Sequence, residues 1–328
     1  MRMTRVAAID CGTNSIRLLI ADADAGGADD GGTVLTDVVR LMEVVRLGQG
    51  VDRTGMFDPV ALERTLRATD RYAALCREHD VEAVRFVATS ATRDASNRQV
   101  FLDGVRDALG VDAEVISGTE EAALSFAGAV SILRPQHRAP RLVVDIGGGS
   151  TELVVGAGVP TASFSMDIGC VRMTERHLHD DPPSQDQIAA ASADVRRALD
   201  VAARTVPLGS VGTVVGVAGS VTTVTAHALG LDSYRPDRIN GASLPTGIVL
   251  AACQDLLLMD REDRAALPSM HPGRVDVIGA GALVWFEVVS RVAAEVESAG
   301  GRLAEVVTSE HDILDGIALS VLSVLARG

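Results

Sequence analysis

The chain of 328 residues contains no lysine, so all 30 of its cationic side chains are arginine. That absence excludes a P-loop cation, a Schiff-base amine and a lysine general base, and it makes every permanently charged anion-binding side chain a guanidinium. The four cysteines, Cys11, Cys76, Cys170 and Cys253, lie far apart and form no CxxC pair. Neither a zinc site nor a disulfide framework is expected, and the thiols read as reduced and mostly buried, as in a cytoplasmic protein. No run of ~18 uncharged apolar residues occurs. The best candidate, Val275 to Ala294, is interrupted by Asp276, Glu287 and Arg291. A membrane span is not expected, and the apolar run before Asp10 is too short for a signal-peptide core. Cations are also outnumbered: 44 acidic residues leave a formal net charge of -14. A sequence-independent nucleic-acid binder needs a basic face, so that class is excluded as well.

What is present is a globular composition, 47% hydrophobic and 23% charged, and a length that suggests two domains. Apolar runs at Val6 to Ile9, Ser15 to Ala23 and Val34 to Leu47 predict three strands, the last following the Gly/Asp-rich turn Gly26 to Gly32. Asp58 and Pro59 predict an N-cap and a proline at the first helical position, opening a helix to about His79. A strand is expected at Val84 to Ala88, and Ser96 with Gln99 has the form of a capping box for a helix ending near Gly110. Next come a strand closing at Val115-Ile116 and a helix from Ser117 to about Leu133. After the proline-flanked break Pro135 to Pro140, a second set of strands begins at Leu142.

This second start repeats the first. AIDCGTNSIRLLIA (Ala8 to Ala21) aligns without a gap on VVDIGGGSTELVVG (Val143 to Gly156). Asp10 falls on Asp145, Gly12 on Gly147, Ser15 on Ser150 and Leu18 on Leu153. The shared pattern is an apolar strand, Asp, Gly, small residues, Ser, then a second apolar strand. Two copies, each opening a β-then-α segment, imply a duplicated domain with a cleft between the halves. The backbone amides of such a turn can receive phosphate oxygens without a lysine, and the aspartate at the strand end can hold Mg²⁺ through water. No GxxxxGK[ST] loop occurs, and Gly147-Gly148-Gly149 leads into a strand, so neither a Walker loop nor a dinucleotide fingerprint is present.

Two further places carry candidate chemistry. Ala88 to Asn97 lies between a strand end and a helix start, where α/β folds put ligand-contacting loops. There Arg93 offers a planar fork to a phosphate, or pairs with Asp94 or another acid. In Ser117-Gly118-Thr119-Glu120 the spacing is that of a capping box, which gives Glu120 a structural task. Glu121 lies ~100° further round the helix and is not needed for the cap. A first-turn acid is also favoured by the helix dipole, so a structural and a catalytic reading of Glu121 both stand.

These motifs resemble the Ppx/GppA phosphatases, the exopolyphosphatases and guanosine pentaphosphate phosphohydrolases of the actin, sugar-kinase and heat-shock-chaperone superfamily. The resemblance is carried by AIDCGTNSIRLL at Ala8, ATSATRDASN at Ala88, VISGTEEA at Val115 and DIGGGSTEL at Asp145. DIGC at Asp167, AGS at Ala218 and SEHDILDGIAL at Ser309 add to it. It covers the whole chain in order and is similar to the short, two-domain actinobacterial type. It implies an α/β fold of two duplicated actin-like (ribonuclease H-like) domains with an interdomain cleft. Domain I would span residues 1–130, with a C-terminal helix at 312–328 packing back on it, and domain II residues 131–311.

By the same resemblance Glu121 is the general base and Arg93 the cleft arginine. The phosphate loops are Gly12, Thr13, Asn14 and Ser15, and Gly147, Gly148, Gly149 and Ser150. The metal-binding acids are Asp10, Asp145 and Glu152, for Mg²⁺ or Mn²⁺. Cys11 stands where an aliphatic residue is usual, and no role transfers to Glu310-His311-Asp312, whose HD pair reads as structural. The implied activity is Mg²⁺-dependent release of terminal orthophosphate from inorganic polyphosphate. Short chains are expected to be preferred, because longer members carry a polymer-gripping C-terminal region beyond the point where this sequence stops. Alternatives are a guanosine pentaphosphate phosphohydrolase, a non-catalytic sensor of guanosine penta- or tetraphosphate, and a sugar or acetate kinase. No nucleic-acid or membrane partner is expected, the location is cytoplasmic, and a homodimer is a family-level expectation only.

Overall fold

Val6 to Ile9 is an unbroken apolar run because both faces of its strand are covered. The computed structural model describes residues 3–13, 15–24 and 34–325. Asn14 and the Gly26 to Gly32 turn therefore lie outside the described residues. The first part of the chain runs β1 (Thr4–Cys11), β2 (Ser15–Asp24), β3 (Val34–Val44), α1 (Val51–Thr54), α2 (Pro59–Glu78), β4 (Ala83–Ala88), α3 (Ser90–Asp94), α4 (Arg98–Leu109), β5 (Ala113–Val115) and α5 (Gly118–Val130). The second part runs β6 (Arg141–Ile146), β7 (Thr151–Gly156), β8 (Pro160–Met166), α6 (Cys170–His177), α7 (Gln185–Ala202), β9 (Thr213–Val217), α8 (Ala218–Ala228) and α9 (Pro236–Ile239). It continues through β10 (Ser243–Pro245), α10 (Thr246–Leu258), α11 (Arg261–Ala266), α12 (Ile278–Ser298) and β11 (Glu305–Thr308), and α13 (Ile313–Leu325) comes last. Contacts divide the chain into one unit of Met1–Gly128 with Ile313–Gly328 and another of Ala129–Asp312.

In the first unit the sheet order is β3-β2-β1-β4-β5, with β1 antiparallel to β2 and parallel to β4. Strand alternation sends Val6 and Ala8 to one face, with Leu19, Ala21 and Val87, beneath Leu124 of α5 and Ile317 and Ala318 of α13. Ala7, Ile9 and Cys11 go to the other face, with Leu18 and Ile20, beneath Tyr72 of α2 and Phe101 of α4. A strand buried on both sides loses the polar alternation of a half-exposed one. The closing helix is also held by charge: Arg40 on β3 donates to the fully buried Asp315 of α13 at 2.5 and 3.2 Å.

The second unit has the order β10-β11-β9-β6-β7-β8, with β6 antiparallel to β7 and parallel to β9. Reading β6 for β1, β7 for β2, β8 for β3, β9 for β4 and β11 for β5 reproduces the first unit's wiring, with β10 added at the edge. The registers agree as well: Cys11 opposes Ile16 and Ile146 opposes Thr151, the positions the gap-free repeat equates. Its core joins Leu142, Val144 and Leu153 of the sheet to Leu199, Val224, Leu256 and Trp285 from the helices.

Most turn chemistry is as expected. Asp58 accepts the amides of Val60 and Ala61 ahead of α2, both at 3.0 Å, and Gly110 closes α4 in the left-handed region at φ 71°. The Ser96–Gln99 capping box does not form. Ser96 Oγ donates instead to Gly55 O, Asn97 exchanges bonds with both backbone groups of Phe57, and Gln99 reaches Asp103. The segment anchors a distant turn, and that tertiary demand overrides the local cap. The stretch Ala88 to Asn97 is also not a plain loop, since it contains the single turn α3.

Candidate active site

Parallel strands bring their carboxyl ends to one edge, and in the first unit that edge collects the candidates. β1 ends at Asp10-Cys11, and the hairpin turn closes through Gly12 N donating to Ser15 O at 3.0 Å. Thr89, at the end of β4, donates its amide to Cys11 O at 3.1 Å, and Gly48 donates its amide to Thr13 O at 2.8 Å. Glycine at 48 permits this approach: a Cβ there would lie 2.3 Å from Thr13 Cγ2 and 3.2 Å from Ala91 Cβ. The turn is thus held from two sides, its final contact resting on the segment after β3.

Arg93 sits on α3 and Glu121 in the first turn of α5, and the two meet. Arg93 Nη1 donates to Glu121 Oε2 at 2.9 Å and to Ile116 O at 2.8 Å, with side chains 31% and 34% exposed. Each is screened from bulk water yet reachable from it. Glu120 goes elsewhere. Its amide donates to Ser117 Oγ at 3.2 Å, the expected half of the cap, but its carboxylate accepts from Arg85 on β4 at 2.7 Å. Asp10 is only 5% exposed and accepts from Arg17 Nη2 at 2.7 Å and Nε at 3.0 Å. Cys11 is buried, and that burial, with Asp10 adding, pushes its thiol far above the ordinary range. It is not a nucleophile.

In the second unit the same hairpin closes in the same way, Gly147 N donating to Ser150 O at 3.0 Å. Here α6 fixes the loop. Cys170 N donates to Gly147 O at 3.0 Å, and Val171 N and Arg172 N donate to Gly148 O at 2.9 and 3.1 Å. In a planar trans peptide the C=O and the following N–H point in opposite directions. The carbonyls of Gly147 and Gly148 face α6, so the amides of Gly148 and Gly149 face away from it, side by side. Two adjacent outward amides are an arrangement that can receive an anion. Gly169 permits the approach, since a Cβ there would lie 2.6 Å from Gly148 C and O.

The two hairpins differ in charge. Position 17 of the first corresponds to position 152 of the second, so Asp10 opposes Arg17 while Asp145 opposes Glu152. Directly opposed residues share a face with Cβ atoms about 4.5–5.5 Å apart. Asp145 and Glu152 therefore present hard oxygen donors together, Glu152 also accepting from Ser165 Oγ at 2.8 Å. That donor set fits Mg²⁺, which takes one or two carboxylates plus water and substrate oxygens. Among the described residues no group of three or more His, Cys, Asp and Glu side chains forms a metal cage, and His311 of the HD pair meets Ser131 Oγ at 3.1 Å.

The structure thus groups Asp10, Gly12, Thr13, Ser15, Arg93 and Glu121 at one edge of the first unit, and Asp145, Gly147 to Ser150 and Glu152 at the corresponding edge of the second. Three supporting residues were not singled out from sequence: Arg17, Gly48 and Gly169. For Arg17 the repeat itself held the signal, because its alignment on Glu152 makes the charge reversal visible. Among the described residues no helix is long and apolar enough to cross a membrane.

The family model for the Ppx/GppA phosphatase family matches residues 19–318. The chain is 52% identical to Exopolyphosphatase 2 of Mycobacterium tuberculosis over 326 residues, covering 98% of this chain and 99% of that one. Among solved structures it is similar to an exopolyphosphatase-like protein, with a TM-score of 0.83 and 47% identity over 99% of this chain and 100% of the other. A Ppx/GppA family member from Aquifex aeolicus superposes with a TM-score of 0.81 at 28% identity, over 100% of this chain and 99% of its own.

Proposed function

The chain belongs to the Ppx/GppA phosphatase family, and from that premise we propose that it is an exopolyphosphatase, hydrolysing the terminal phosphoanhydride of inorganic polyphosphate. The observation that carries this reading is the contact between Arg93 and Glu121 at the carboxyl edge of the first unit. Arg93 holds Glu121 Oε2 and fixes the carboxylate, which orients a water and takes its proton as the water attacks phosphorus. A guanidinium beside that carboxylate also complements phosphate oxygens as charge shifts onto them. Hydrolysis needs little covalent work from the protein, so positioning and charge stabilisation supply most of the rate.

The hairpin amides fit the remaining task. Those of Gly148 and Gly149 are aimed to receive phosphate oxygens, and the turn at Gly12, Thr13 and Ser15 plays the matching part in the first unit. Asp145 and Glu152 are the residues that would hold Mg²⁺ or Mn²⁺, and a bound ion supplies charge neutralisation at the bridging oxygen. Asp10, balanced by Arg17, serves that function less directly. The net charge of -14 opposes a polyanion at long range. Screening at physiological salt acts over ~8 Å, so the local amides, Arg93 and the metal decide.

The test is orthophosphate release from short polyphosphate, guanosine pentaphosphate and ATP in parallel, with Mg²⁺ and with excess EDTA. Polyphosphate should give the highest kcat/KM, and EDTA should abolish release. Release from guanosine pentaphosphate alone would make the chain a pentaphosphate phosphohydrolase. Binding of guanosine tetraphosphate without any release would make it a sensor, and acceptor-dependent ADP formation a kinase. Full turnover in EDTA would overturn the metal assignment. The preference for short chains belongs to the same reading, and is checked by kcat/KM per chain end across a length series.

A further inference from the structure

The second hairpin has a cation at its rim that the proposed hydrolysis does not yet use. Arg172 lies in the first turn of α6, the helix whose amides clamp the loop, and its Nη2 is 3.6 Å from the position a Cβ would take on Gly149. The guanidinium therefore lies against the glycine that carries one of the two outward amides. Its ion partner is poor: Asp167 Oδ1 lies at 3.4 Å and is 88% exposed, with Arg172 itself 43% exposed. One turn along the same helix, Arg176 is held by Asp194 at 2.6 Å. α6 thus carries one arginine locked into structure and one loosely tethered at the loop.

Three facts combine here. The amides of the first turn of α6 are spent on Gly147 and Gly148 carbonyls, so the helix end itself has little left to offer an anion. The loop's own amides receive at most part of a phosphate's charge. With no lysine in the chain, a permanent countercharge from a side chain must be a guanidinium, which grips phosphate through two parallel N–H bonds. We propose that Arg172 is a substrate-contacting residue, its guanidinium closing over a phosphate group seated on the Gly148 and Gly149 amides and exchanging Asp167 for that phosphate. This rests on the polyphosphate reading and adds to it a second binding arginine besides Arg93.

The experiment compares Arg172→Ala, Arg172→Lys and Asp167→Asn. Binding is measured by calorimetry with imidotriphosphate in its diimido form, a tripolyphosphate analogue whose two P–NH–P bridges resist hydrolysis, and steady-state kinetics are measured with tripolyphosphate. Arg172→Ala should weaken binding by about 10–100-fold, the range for a charged hydrogen bond, raising KM more than it lowers kcat. Arg172→Lys should restore part of the loss. Asp167→Asn removes a competitor for the guanidinium, so it should bind as tightly as wild type or more tightly. If Arg172 only pairs with Asp167 for structure, both removals weaken binding alike, and the proposal falls. It falls too if Arg172→Ala binds like wild type, or if wild type does not bind imidotriphosphate. Wild type that binds the analogue with the expected pattern but releases no orthophosphate would overturn the exopolyphosphatase reading and leave Arg172 in place.

Discussion

Glu120 and Glu121 are neighbours in sequence with opposite partners, one turned to Arg85 and the other to Arg93. A helix separates adjacent side chains by ~100°, enough to send one toward the strand and the other toward the ligand edge. Arg85 also holds Glu114 at 2.7 Å, so Glu120→Gln keeps an amide at Arg85 and should change kcat little. Glu121→Gln preserves shape but cannot take a proton, and kcat should fall by about 10²–10⁴ with the melting temperature almost unmoved. Side-by-side kinetics check this, and loss of turnover in Glu120→Gln alone would reverse the assignment. The Ser117 half of the cap was legible, because it is a bond between residues three apart. Glu120's carboxylate was not, since its partner lies on a strand brought close only by folding. The meeting of Arg93 with Glu121 was equally hidden, although both residues were singled out.

At the scale of elements, the strands, the capped start of α2 and the glycine end of α4 could be read from local pattern, as each depends on turn chemistry and periodicity within a few residues. What could not be read was how one element disciplines another: Asn97 pinning Phe57, Gly48 against Thr13, and α6 stitched to the glycine loop. The last of these is testable through Gly169, whose φ of -150° is ordinary extended backbone that alanine adopts without strain. The cost of Gly169→Ala is therefore purely steric, a Cβ driven against Gly147 and Gly148 backbone. Helix and loop must part, and the Gly148 and Gly149 amides lose their aim. Misplacement by ~1 Å can cost about 10²-fold in rate, so kcat/KM should drop at least tenfold, with a stability loss of about 1–3 kcal/mol. Wild-type kinetics in this variant, measured with tripolyphosphate, would show that α6 does not set the loop.

Across the whole molecule, the fourteen-residue repeat foretold two sheets of one wiring, because a hairpin that opens a β-then-α segment limits where the next strand can pair. It did not foretell that β10 would be added to one copy, a short strand with a weak signal. One consequence of the chain's route concerns synthesis. The sheet of the first unit keeps Val6, Ala8, Leu19 and Val87 on the face that α13 covers, and between them in sequence lies all of Ala129–Asp312. At translation speeds of 5–20 residues per second, roughly 10–40 s separate that sheet from its cover. The later-made unit is the first that can finish, reversing the usual order. A ribosome-bound chain stalled with Asp312 just clear of the exit tunnel should show residues 129–312 resistant to brief proteolysis and residues 1–128 cut. Equal resistance of both stretches would mean that the sheet closes without its last helix. In a growing cell this interval leaves the part of that face beneath α13 bare on every nascent copy, a standing invitation to chaperones written into the order of the gene.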